Sequence, residues 1–373
     1  MILAGPAFQR DLPFLAGTMI AAAGVTPFAM KLALKVGLVD RPGPNKFHGQ
    51  PTPYLGGLAI AASVLAALAG AIVVHPELRL EFVAIALGGG AVAAVGLVDD
   101  WSTLSPAPRL VVQALAALGL WAVGIRVAPT GFVPVDIGLT ILVVWAVTNA
   151  TNLLDNMDGL SSGTVAIAAL FFFVAAHWEG QRLVSLMAIM LAGACLGFLP
   201  HNFSPARIFL GDAGALFIGF LLAVLAIKLK LDGYPPITRA VVPMAIIAVP
   251  LFDMTLVVFS RWRGGRPVFR GGTDHSSHRM VALGVSPAAA AVITYAAGLL
   301  TGGTALLLLR ANTTRISWEV AGLGLATALL FIARLERVQL PPIPGSREPD
   351  LSPSPARPAL VTAELGPADL TRG

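Results

Sequence analysis

Aspartates dominate the residues of this chain that could do chemistry, and they stand in short motifs far apart in sequence. The first motif is Gly96-Leu97-Val98-Asp99-Asp100-Trp101. Adjacent carboxylates repel, and one is driven toward its neutral form unless a cation sits between them. The pair reads as a Mg2+ or phosphate-chemistry site, with a solvated helix end as the alternative. The second motif runs from Asn149 through Asn152, Asp155, Asn156 and Asp158 to Gly159. Its polar residues recur every three positions, which on an α-helix puts Asn149, Asn152 and Asp155 on one broad face. Asp158 drifts off that face and Gly159 permits a helix end, so Asp158 is expected on a loop curling back to the same site. Amides and carboxylates together can hold the polar edge of a nucleotide or a hydrated metal.

Three further segments carry charge of the right kind. In Asn202-Phe-Ser-Pro205-Ala206-Arg207-Ile-Phe209-Leu-Gly211-Asp212-Ala213-Gly214, glycines flank an aspartate and let a backbone approach a ligand closely. Asp212 would begin a helix, where it could act as a cap or as an oxygen ligand of Mg2+. The segment Arg261–Arg279 holds five arginines and ends in Asp274-His275-Ser276-Ser277-His278-Arg279. Arginine forks suit phosphate, and phosphate contact is favoured over metal ligation by the two histidines. The segment from Asp40 to Gly57 is too proline-rich to be helical, and its Lys46 and His48 are available to phosphate. Asp253 is an isolated carboxylate inside an apolar run, read as either a buried hydrogen-bonding group or a catalytic one.

The elements that must position these residues are membrane spans. Of the 373 residues, 56% are hydrophobic and only 12% charged, with a mean hydropathy of +0.80. A soluble domain carries about 25% charge, so this chain cannot cover a water-facing surface of its own size. Long apolar runs, not alternating ten-residue segments, exclude a β-barrel. The fold class is therefore all-α, a polytopic membrane protein. About eleven spans are expected, at 13–34, 55–74, 81–98, 110–125, 137–151, 160–177, 183–200, 213–230, 239–260, 288–309 and 316–333. With the N-terminus outside, thirteen Lys and Arg fall on the inner side and nine on the outer, which favours N-out and C-in. On that topology Asp40, Asp99, Asp100, Asp155, Asp158, Asp212 and Asp274 gather at the cytoplasmic face. Residues 1–340 form the multi-span domain. The stretch 341–373, with eight prolines, reads as a disordered cytoplasmic tail. The single Cys195 rules out a cysteine metal site. Scattered basic residues without interleaved aromatics argue against nucleic acid.

In this order, these five segments resemble the polyprenyl-phosphate N-acetylhexosamine-1-phosphate transferase family from about Asp40 to Ser286. The resemblance implies transfer of a sugar-1-phosphate from a UDP-N-acetylhexosamine, such as UDP-GlcNAc, to undecaprenyl or another polyprenyl phosphate. It also implies Mg2+, or Mn2+ in its place, release of UMP, a plasma-membrane location and a cytoplasm-facing site that initiates cell-envelope polysaccharide. Asp99 and Asp100 match the family's aspartate pair. Asn152, Asp155 and Asp158 match its nucleotide-side motif, Asp212 its metal-binding aspartate, and His275 and His278 its histidine motif. On this reading Asp99 is the base, while Asp100 and Asp155 help Asp212 hold the metal. Lys46, His48, Asn149, Asn152, Asp155, Asp158, Arg207, His275, His278 and Arg279 bind substrate. A homodimer is compatible with this reading.

Three departures stand out. His275-Ser-Ser-His278 replaces His-x-His-His, leaving one histidine role missing or served by Arg279; Asn156 replaces a glycine, and Ala215 a serine. The triple histidine of the peptidoglycan translocase is absent, which points to the N-acetylhexosamine branch and leaves phospho-MurNAc-pentapeptide transfer as the alternative. A transporter of phosphorylated solutes is the reading from another class, disfavoured because only Asp253 is charged mid-membrane and no internal repeat is evident.

Overall fold

A computed structural model describes residues 6–40, 51–102, 104–268, 272–338 and 340. Lys46, His48 and the stretch 341–373 lie outside these residues. The chain is helical almost throughout, because a backbone in lipid must satisfy its own N–H and C=O groups within each segment. The first helix, α1 (Pro6–Val36), leads into a two-residue antiparallel pair, β1 (Val39–Asp40) with β2 (Thr52–Pro53). Then come α2 (Gly56–Val74), a 3-10 turn at Pro76–Leu78, α3 (Arg79–Trp101), α4 (Pro106–Ala122) and α5 (Val133–Leu154). They are followed by α6 (Leu160–Trp178), α7 (Arg182–Asn202), α8 (Gly211–Lys228), α9 (Pro236–Ile246) and α10 (Ala248–Arg263). The short α11 (Ser276–Ala282), α12 (Pro287–Ala311) and α13 (Thr314–Leu335) complete the order.

Nine helices among the described residues are long and apolar enough to cross a membrane, and ten if one bent pair is counted as a span. The span expected at 110–125 is the 17-residue α4, which begins four residues earlier because Pro106 opens it. The continuous span expected at 239–260 is broken: α9 and α10 meet at 78°. The break has a local cause. Pro250 has no N–H to give the carbonyl of Ile246, and its ring collides with that carbonyl, so α9 ends at Ile246.

The centre of the bundle is α6, α7 and α8, buried over 72%, 83% and 78% of their apolar windows; α13, at 6%, lies at the periphery. Close packing there rests on small residues, as expected where lipid is as apolar as leucine. A side chain at Gly197 of α7 would strike the backbone of α1 at Met19, and one at Gly219 of α8 would strike Thr148 of α5. These approaches bring α7 against α1 and α8 against α5.

Candidate active site

The site begins where α3 meets the first turn of α8. A Cβ on Gly96 would stand 2.6 Å from the carbonyl oxygen of Asp212 and 2.7 Å from Cα of Ala213. The two backbones touch, and the carboxylate of Asp100 falls over the start of α8. Its Oδ1 accepts the N–H of Asp212 at 2.7 Å and its Oδ2 accepts the N–H of Ala213 at 3.0 Å. Asp100 thus caps a helix from a different part of the chain, and its negative charge faces the positive end of that helix dipole. Gly211 makes room for this. It has φ +74°, and a side chain there would meet Asp100 Oδ2 at 2.8 Å and the carbonyl of Tyr54 at 2.7 Å.

Asp212 is thereby delivered to a group of polar side chains. Its Oδ1 accepts from Asn152 Nδ2 at 2.6 Å. Its Oδ2 lies 3.7 Å from Arg109 Nη1, and the same Nη1 pairs with Asp99 Oδ2 at 2.7 Å. Asp99 Oδ1 accepts the N–H of Leu104 at 2.6 Å, and Asp99 is only 9% exposed. The carboxylates of Asp99 and Asp212 lie within hydrogen-bonding reach of each other. Asp155 follows the last residue of α5. Burial, then the nearby charges of Asp212, Asp100 and Asp158, push its carboxyl well above the usual range. Asp99 and Asp212 therefore share Arg109, the one cation with which they form ion pairs among the described residues.

Tyr54 closes one side. Its ring lies 5.8 Å from that of Phe209, and its hydroxyl bonds Asp40. Burial first, then Asp40, Asp100 and Asp212, push the phenol up. The strip from β2 to α2 holds the 209–210 segment through Phe209 N to Pro53 O, Gly56 N to Phe209 O and Gly57 N to Leu210 O, at 2.8, 3.0 and 2.8 Å.

The histidine segment forms the other side. The hydroxyl of Ser277 in α11 donates to Asn156 Oδ1, tying α11 to the loop that carries Asp155. His275 and His278 stand with ring centroids 6.0 Å apart. Burial, and then His275, push His278 down to about 4, so it is a neutral hydrogen-bonding ring at pH 7. Burial alone would raise Asp274, but Arg261 at 2.7 Å and Arg266 at 3.1 Å outweigh it and hold its carboxyl below the usual range.

The structure thus brings Asp99, Asp100, Asp155, Asn152 and Asp212 together, with His275 just before the adjoining α11 and His278 on it. Asp158 lies on the loop as expected, where its Oδ2 accepts the N–H of Ala206 at 3.0 Å. Arg207 is exposed at the rim. Two residues expected to bind substrate are engaged within the protein. Asn149 points into the bundle and gives its amide to Gln113 Oε1 and Trp145 O, both at 2.8 Å. The three-residue step holds the face only as far as α4 leaves it open. Arg279 is 2% exposed and is spent on Ser260, Glu336 and the carbonyls of Asp274 and Leu335. It fastens α11 to the end of α13. Asp100, expected to hold metal, has both oxygens on the backbone of α8. Arg109 and Tyr54 join the cluster from outside the spaced motifs. The sequence marks Arg109 only as a lone cation in the first turn of the helix that follows the aspartate pair.

The family model described as Glycosyl transferase family 4 matches residues 82–230. The chain is 31% identical over 295 residues to the Bacillus subtilis protein named "Probable undecaprenyl-phosphate N-acetylglucosaminyl 1-phosphate transferase", covering 76% of this chain and 81% of that one. It is 31% identical over 315 residues to the decaprenyl-phosphate N-acetylglucosaminephosphotransferase of Mycolicibacterium smegmatis, covering 74% and 77%. To the undecaprenyl-phosphate alpha-N-acetylglucosaminyl 1-phosphate transferase of Yersinia pestis it is 31% identical over 287 residues, covering 73% and 77%. Likeness of this extent, through the helices that build the aspartate site, makes the chain a member of the polyprenyl-phosphate N-acetylhexosamine-1-phosphate transferase family.

Proposed function

We propose that the protein transfers N-acetylglucosamine-1-phosphate from UDP-GlcNAc to a polyprenyl phosphate, giving the polyprenyl-diphosphate sugar and UMP. The names of the relatives support the sugar and the lipid class. The observation that carries the chemistry is the Asp99–Arg109–Asp212–Asn152 cluster at the ends of apolar helices, where an anionic lipid head would arrive. An oxygen of the lipid phosphate attacks the β-phosphorus of the donor, and the bond from that phosphorus to the bridging oxygen breaks to release UMP. Such transfers depend mostly on positioning and charge neutralisation. Arg109 receives the acceptor phosphate between Asp99 and Asp212, and Asp99 takes its remaining proton. Asn152 fixes the rotamer of Asp212. The neutral ring of His278 and the exposed Arg207 meet the donor.

The donor set also suits a hard divalent cation. Among the described residues no three His, Cys, Asp or Glu side chains gather as a ready-made metal site. Mg2+ in phosphoryl-transfer sites is usually held by one or two carboxylates plus substrate phosphates and waters. Asp212, whose side chain is 34% exposed, and Asp155 would hold Mg2+, or Mn2+ in its place. When bound, the ion neutralises the diphosphate. The excess of Lys and Arg on one set of loops supports a plasma-membrane protein with its N-terminus outside and the aspartate end in the cytoplasm.

The test is purified protein with labelled UDP-GlcNAc, undecaprenyl phosphate and Mg2+, scoring UMP and labelled lipid together. Movement of intact UDP-sugar or lipid across vesicles without UMP would establish a transporter instead.

A further inference from the structure

Asp253 lies in α10, 1% exposed, and the reaction outlined above does not use it. A buried carboxylate in a membrane bundle needs partners, and all of its partners lie at the start of α11. Oδ2 stands 2.8 Å from Nδ1 of His275. Oδ1 accepts both the backbone N–H of Ser276 at 2.8 Å and its hydroxyl at 2.6 Å. A carboxylate has only acceptors to offer, so the short contact to Nδ1 requires a proton on that nitrogen. The ring is thereby fixed in orientation and in proton placement, as a second carboxylate fixes a histidine in metal and triad sites. Nε2 has no hydrogen-bond partner among the described residues. The other side of α11 is tied through Ser277 to Asn156, the neighbour of Asp155. The helix is thus held between α10, through His275 and Ser276, and the aspartate loop, through Ser277.

We propose that Asp253 is a positioning residue for the donor half of the site: by taking the Nδ1–H of His275 it turns Nε2 toward the sugar diphosphate. The inference rests on the transferase reading for the identity of the donor, but not for the geometry.

Two measurements test it. The first uses full-length protein labelled with ring-15N histidine in detergent. The chain has six histidines, and the His275 signal is assigned by its loss in His275→Gln. Wild-type His275 should carry a proton on Nδ1. In Asp253→Asn the amide oxygen must serve the N–H of Ser276, so the NH2 faces the ring, and the proton should move to Nε2. A wild-type ring protonated on Nε2 alone would overturn the proposal. The second measurement is kinetic. Asp253→Asn should lower kcat/KM for UDP-GlcNAc roughly 10–100-fold, the usual effect of removing a carboxylate behind a working histidine. The KM for polyprenyl phosphate should stay near wild type. In a His275→Gln background the same change should add less than about threefold, because coupled residues are not additive. Fully additive losses, or an equal rise in both KM values, would mean that Asp253 only holds the fold. Absence of UMP from wild-type protein would sink the transferase reading instead, and the tautomer would still decide whether Asp253 sets the ring.

Discussion

Arg109→Gln is the perturbation that tests the site most directly. In the structure one nitrogen of Arg109 lies 2.7 Å from Asp99 and 3.7 Å from Asp212. Glutamine keeps much of the stem and a donor but removes the charge. Two unit charges about 4 Å apart interact by about 4 kcal/mol at an effective dielectric near 20. The guanidinium retains some contact with water, so about half of that, ~2 kcal/mol, is a fair share for one lost ion pair. An incoming phosphate then faces two carboxylates with no cation between them. At 1.4 kcal/mol per decade this corresponds to about 30-fold, and loss of a donor aimed at transition-state charge commonly costs 10²–10³-fold. We therefore expect kcat/KM to fall roughly 30–1000-fold, with Arg109→Lys recovering part of the loss because it restores charge but not the fork. The assay is UMP release at saturating UDP-GlcNAc with the lipid phosphate varied, paired with thermal unfolding in detergent to show that the variant is folded. A folded Arg109→Gln within about threefold of wild type would refute the idea that this arginine carries the acceptor.

Other outcomes follow from the same geometry. Asp212→Asn should leave insertion and purification intact yet nearly abolish turnover, and EDTA should do the same to wild-type protein; activity that survives both would remove the metal from the reading. Asp100→Ala strips the cap from α8 and should lower stability by about 0.5–2 kcal/mol, seen as faster amide exchange at Asp212 and Ala213. Asn156→Ala and Ser277→Ala should show a coupling of about 0.5–3 kcal/mol in a double-mutant cycle of thermal stability, whereas independent effects would mean that the contact does not hold α11. His278 is pushed down to about 4 in the fold, so between that value and its ordinary one near 6.5 the unfolded chain binds more protons. Wild-type stability should therefore fall as pH drops through this window, and His278→Gln should lessen the fall.

The membrane fold was legible because hydropathy is a property of consecutive residues. A run of apolar side chains declares a span whatever it packs against. The aspartate motifs were legible too, since Asp99, Asp155 and Asp212 each sit at a helix end that local pattern announces. What no local pattern contains is the partner of each side chain. Asp100 finds its backbone donors 112 and 113 residues away, and only the contact of Gly96 with α8 makes it a cap. Asn149 shares the period of Asn152, yet α4 supplies Gln113 to it and turns it inward. Arg279 resembles a phosphate clamp in sequence and becomes a buried tie to Glu336, because the end of α13 returns to that spot. Spacing along one helix specifies which residues share a face. Which neighbour occupies that face, and whether a charge there meets backbone, carboxylate or substrate, is decided by the packing of helices distant in sequence.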